Sequence, residues 1–100
     1  MSFQERMIYM KALITGASSG IGRDIATEFA KRGYDLILVA RNIEKLNQVK
    51  ENILNNCNNI NIKIIQMDVS TPENCKNLYN QVNDDIDILI NNAGFGVFGD

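Results

Sequence analysis

Thr15-Gly16-Ala17-Ser18-Ser19-Gly20-Ile21-Gly22 sets three glycines and three hydroxyl side chains within eight positions. A turn of this kind between a strand and a helix offers backbone N–H groups to a phosphate, with the positive end of the helix dipole behind them. Gly16 lets the chain leave the strand sharply. Gly20 and Gly22 admit close approach of a ligand and of the helix to the sheet. The spacing is G-x-x-x-G-x-G rather than the commoner G-x-G-x-x-G. A tight turn that needs glycine only for its geometry would carry the same residues. Two further segments, Asp68-Val69 and Asn91-Asn92-Ala93-Gly94, also follow apolar runs. Strand ends are where open α/β sheets bind ligands.

The elements that must position these groups alternate. Lys11 to Thr15 reads as a first strand, and Gly20 to Arg32 as a first helix with the stripe Ile21, Ile25, Phe29 and with Gly22, Ala26 and Ala30 beside it. Gly33 suits the position just past the helix end. Asp35 to Ala40 is apolar on both faces, the mark of a buried parallel strand. Asn42 is placed to cap a second helix with the stripe Ile43, Leu46, Val49, Ile53. Asn61 to Met67 reads as a third strand. Thr71 before Pro72 suits the cap and first residue of a third helix that buries Cys75, Leu78, Tyr79 and Val82. Ile86 to Ile90 is the fourth strand.

This βαβαβαβ order, with right-handed crossovers, predicts the first part of a Rossmann-like, doubly wound parallel sheet of the α/β class, with strand order 3-2-1-4. The first two helices then share one face and the third lies on the other. The strand order reverses between strands 1 and 4. The Gly-rich turn, Arg41, Asp68 and Asn91 to Gly94 all fall at carboxyl ends of strands around that point. Strand 4 becomes an edge with exposed isoleucines.

Composition sets limits. One hundred residues, 45% apolar and 22% charged, describe one globular unit. A net charge of −2 gives no electrostatic case for nucleic acid. No apolar run is long enough to cross a bilayer as a helix, so no membrane partner is expected. Cys57 and Cys75, with no histidine in the chain, are expected to be reduced thiols of a cytoplasmic protein and not metal ligands. Asp84, Asp85 and Asp87 read as a polar turn before strand 4. Residues 1–9 are expected to be an unstructured extension before the N-terminal part of a Rossmann domain over residues 10–100, with Met7 or Met10 as the natural start.

The three segments in order resemble the short-chain dehydrogenase/reductase family, over essentially Met10 to Asp100. The resemblance implies that Thr15 to Gly22 holds the cofactor pyrophosphate, using Gly16, Ser18, Ser19, Gly20, Ile21 and Gly22. It implies that Asp68 and Val69 meet the adenine, and that Asn92, Ala93 and Gly94 lie beside the adenosine ribose. Asn91 either touches ligand or holds nearby backbone, as asparagine readily does. Asp68 could likewise serve only the turn into the third helix.

Cofactor choice rests on Arg41. An acidic residue ending strand 2 would bond the ribose 2′-hydroxyl and favour NAD. Here Ala40 ends the strand and Arg41 follows, while Asp35 stands at the wrong end. A guanidinium suits the 2′-phosphate of NADP, where a charged hydrogen bond contributes roughly 1.5–3 kcal/mol. A solvated loop cation is the plain alternative. Ser19 stands where many NADP-preferring members carry a basic residue. NADP is therefore the expected cofactor, with NAD the second choice. Arg23 reads as a surface residue.

The family's catalytic Ser, Tyr and Lys, and an Asn on its fourth helix, all lie beyond the Asn-Asn-Ala-Gly segment, so no catalytic residue carries over. Tyr9, Tyr34 and Tyr79 have no Lys four residues on. The expectation is an NADP-dependent oxidoreductase, present as its cofactor-binding part and inactive alone. Its substrate would be a carbonyl or alcohol, and the complete enzyme a homo-oligomer. The alternative is a small protein that binds a nucleotide or a partner without catalysis.

Overall fold

The computed structural model describes residues 10–18, 20–82 and 86–92. The expected extension at 1–9 and the acidic residues Asp84 and Asp85 lie outside them. The described chain forms β1 (Lys11–Thr15), α1 (Gly20–Lys31), β2 (Asp35–Ala40), α2 (Ile43–Asn56), β3 (Ile62–Gln66), α3 (Pro72–Val82) and β4 (Ile88–Ile90). All strand pairs are parallel and the order is β3-β2-β1-β4, as the alternation predicts.

Side-chain alternation along the strands builds two cores. Ala12, Ile14, Leu36 and Leu38 pack with Ala26 and Ala30 of α1 and Leu46, Val49 and Ile53 of α2. Leu13, Ile37 and Val39 face the other way and pack with Val69 and with Leu78 and Val82 of α3. β2 lies between β1 and β3 with helices on both sides, and all six of its residues are buried. Asp35 at its start is structural: its Oδ1 accepts the Asn61 N–H at 2.9 Å, tying the amino ends of β2 and β3.

Local chemistry ends the helices where the residues indicate. α1 closes with Gly33 N–H to Ala30 C=O (3.0 Å) and Tyr34 N–H to Phe29 C=O (3.1 Å), the Schellman pattern. The Phe29 and Tyr34 rings meet edge to face at 4.8 Å and supply its usual apolar contact. Asn42 Oδ1 accepts the Lys45 N–H at 3.0 Å, and Thr71 Oγ1 accepts the Asn74 N–H at 3.2 Å, so both act as N-caps.

Four expectations are corrected. The face of α1 that meets the sheet is Gly22, Ala26 and Ala30, whereas Ile21 is 69% exposed and Ile25 and Phe29 lie half-buried at its margin. Small residues win that face because they let the helix lie close to the sheet, which the short turn from β1 demands. Tyr79 is half-exposed and Cys75 only half-buried, because Leu78 and Val82 already fill the contact of α3. β3 is one residue shorter at each end than expected, and β4 begins at Ile88 because the Asp87 carboxylate itself takes the Lys11 N–H at 2.9 Å. The exposed residue of β4 is Leu89, not its isoleucines: Ile88 and Ile90 pack against the α1–α2 core. Leu89 borders a groove of about 260 Å³ that Leu13, Leu78, Tyr79, Val82 and Ile86 also line.

Candidate cofactor site

The site stands at the carboxyl edge of the sheet, and its keystone is a side chain absent from the expected ligand set. Thr15, last residue of β1, is 4% exposed. Its Oγ1 donates to Asn91 Oδ1 at 3.0 Å and accepts the Asn92 N–H at 2.9 Å. One hydroxyl thus joins the end of β1 to the end of β4 across 76 and 77 positions of sequence. Its signal in the sequence is a hydroxyl residue ending an apolar strand immediately before the glycine turn. Asn91, left open between ligand and structure, makes a structural bond here.

The turn is anchored on its other side by the Ala17 N–H, which donates to Val39 C=O at 3.3 Å. Gly16 and Gly20 have φ of 64° and 62°, the left-handed region that favours glycine. A Cβ at Gly20 would meet nothing within 4 Å, so the chain's open side is there. Gly22 is the opposite case: a Cβ there would collide with the Gly16 carbonyl oxygen and stand 2.8 Å from Asn92 Nδ2. The first and third segments of the sequence therefore touch, with the Asn92 side chain seated where Gly22 lacks one. The first turn of α1 holds no acidic residue, whereas those of α2 and α3 carry Glu44 and Glu73. An open glycine beside a helix end with no carboxylate in its first turn fits a phosphate. Ser18 is half-buried in the same turn. Ser19, Ala93 and Gly94 lie outside the described residues.

Arg41 and Asp68 follow the ends of β2 and β3, and both are exposed. Asp68 Oδ1 accepts the Ser70 N–H at 2.9 Å, and its C=O accepts Asn74 Nδ2 at 2.6 Å. The carboxylate thus organises the turn into α3, while remaining open to solvent at the site's edge. Hydrogen bonds from the Ser70 side chain and backbone hold its pKa below the ordinary 3.8, and the Arg41 charge pulls the same way. Stabilisation from the ionised form is complete above the unfolded-state value of 3.8 and disappears as pH falls through the lower folded-state value. The stability gap between the unaltered chain and Asp68→Ala should therefore narrow on acidification from about pH 6 to about 3 in urea titrations. A gap that does not change with pH would remove the ionised carboxylate from this role. Val69 turns its side chain into the α3 core, and its C=O accepts the Cys75 thiol at 3.2 Å, so the side chain is not presented to a ligand. Arg23 is exposed and pairs with Asp24 at 3.6 Å, a surface residue.

A family model described as short chain dehydrogenase matches residues 10–100. The chain belongs to the short-chain dehydrogenase family. Among its relatives is a very-long-chain 3-oxoacyl-CoA reductase of Coccidioides immitis, 44% identical over an alignment 88 residues long that covers 83% of this chain and 25% of that protein. Two solved structures of similar proteins were determined with NADPH. The short-chain dehydrogenase of Sphingobium yanoikuyae is 39% identical with a TM-score of 0.77, over 86% of this chain and 34% of that one. L-Sorbose reductase of Gluconobacter frateurii, solved with NADPH and L-sorbose, is 37% identical with a TM-score of 0.76, over 88% of this chain and 34% of that one. The chain spans about a quarter to a third of the length of these short-chain dehydrogenases. No helix among the described residues is long and apolar enough to cross a membrane.

Proposed function

We propose that these residues form the cofactor-binding part of an NADP-dependent oxidoreductase that acts on a carbonyl or alcohol. The observation that carries the choice of NADP is Arg41, exposed directly after β2, a strand whose last residue is Ala40 and not an acid. The NADPH complexes of the two similar reductases support it. When bound, the nicotinamide of such a cofactor gives or takes a hydride. The chain's own residues do the holding. Backbone N–H groups of the glycine turn would face the pyrophosphate, that of Ala17 excepted because Val39 C=O already takes it; Asp68 and the Val69 backbone would border the adenine, and the Arg41 guanidinium would meet the 2′-phosphate. No residue in the described chain is assigned proton transfer in this reading, and carbonyl reduction by the chain alone is not expected.

Titration with NADPH and NADH, followed by nicotinamide fluorescence, tests this. The unaltered chain should bind NADPH more tightly. Arg41→Asp should weaken NADPH binding about tenfold to a hundredfold, the equivalent of one lost charged hydrogen bond, and change NADH binding little. Equal affinity of the unaltered chain for both cofactors would defeat the choice of NADP.

A further inference from the structure

Arg41 needs a fixed backbone if its guanidinium is to select a ligand, since its own side chain is exposed. The peptide plane before it is held, because Ala40 C=O accepts the Met67 N–H at 3.0 Å as the sheet ends. The plane after it lies beyond the sheet, where no strand partner remains. There Gln66 Nε2 donates to Arg41 C=O at 3.0 Å. Immediately afterwards Asn42 accepts the Lys45 N–H and begins α2. The Arg41 Cα is thus suspended between two tethered peptide planes, and its side chain leaves in a defined direction. Arg41, Asn42, Ile43 and Gln66 together line a shallow recess at this edge.

We infer that Gln66 is a positioning residue for cofactor selection: by holding the Arg41 carbonyl through its side-chain amide, it aims the guanidinium at the 2′-phosphate. This deepens the NADP reading and rests on it. Without the amide, the plane between Arg41 and Asn42 can rotate, and the guanidinium spreads over more directions. The loss falls on the phosphate contact and not on adenosine, which Gln66 does not need to touch.

Adenosine 2′,5′-bisphosphate and adenosine 5′-monophosphate are the probes, since they differ only in the 2′-phosphate. Calorimetric titration of the full chain should show a preference for the bisphosphate. Gln66→Met, which keeps length and removes the donor, should cut that preference about threefold to tenfold, with monophosphate affinity unchanged within about twofold. In an Arg41→Ala background the same substitution should change the ratio no further. Gln66→Thr, a residue favoured in strands, repeats the measurement should the methionine variant melt early. An unchanged ratio in Gln66→Met and Gln66→Thr overturns the inference while leaving the NADP reading intact. An equal fall with and without Arg41 also overturns it, since Gln66 would then act on the nucleotide directly. An unaltered chain that shows no preference, or no binding, removes the NADP reading and this inference with it.

Discussion

Gly22→Ala should abolish dinucleotide binding and destabilise the fold, although it adds a single methyl group. The new Cβ would collide with the Gly16 carbonyl oxygen and stand 2.8 Å from Asn92 Nδ2. Asn92 could swing away at some cost, but the Gly16 carbonyl belongs to the backbone of a turn held at φ 64° between β1 and α1. Relief therefore requires the helix to move out from the sheet or the turn to open. Either one displaces the N–H groups that would face the pyrophosphate. Overpacking of this kind costs about 1–3 kcal/mol, and backbone contacts stand at the upper end. Arg23→Ala is the matched control: the next residue is exposed, its ion pair with Asp24 lies on the surface, and such pairs contribute little. Thermal melting and NADPH titration of both variants read the difference. Gly22→Ala melting within a degree of the unaltered chain and binding as well would show that the turn has slack the geometry denies.

Thr15→Val should loosen the end of β4 from the sheet. Valine matches the shape of threonine, so packing is nearly conserved and the change isolates the hydroxyl. Its removal leaves the Asn92 N–H without its acceptor and Asn91 Oδ1 without its donor. Asn91 is exposed and can turn to water, but the bond from the Asn92 N–H is part-buried. An orphaned buried N–H costs about 1–3 kcal/mol, and that is the stability loss expected from urea titration. β4 is three residues long and pairs with β1 through Ala12, Leu13 and Ile14, and the Thr15 hydroxyl extends that pairing past its carboxyl end. Amide exchange at Asn92 should accelerate by one to two orders of magnitude, the kinetic equivalent of that loss. Thr15→Ser keeps the hydroxyl and should retain protection at Asn92. A valine variant with full stability and a protected Asn92 amide would show that the strand ends are joined some other way.

The sequence alone was enough for the element order, the parallel sheet and the 3-2-1-4 arrangement. Those properties follow from local pattern: apolar strands, periodic helices, Asn42 and Thr71 as caps, and crossovers of one hand. It was enough also to bring the glycine turn, Arg41, Asp68 and the Asn91-Asn92 pair to one edge, because carboxyl ends of parallel strands share an edge. It could not decide which stripe of α1 faces the sheet. Ile21, Ile25, Phe29 and Gly22, Ala26, Ala30 repeat with the same helical period one residue apart, and hydrophobicity favours the first. Close approach favours the second, and closeness is set by the turn and by Asn92, 70 positions beyond Gly22. Nor could it decide what the polar groups at the site bond to. Thr15 with Asn91 and Asn92, and Gln66 with Arg41, are partners separated by 76, 77 and 25 positions. A hydrogen bond depends on distance and direction to a tenth of its length, and no local pattern of residues carries that information across such intervals. Only the packed sheet and helices bring those atoms together.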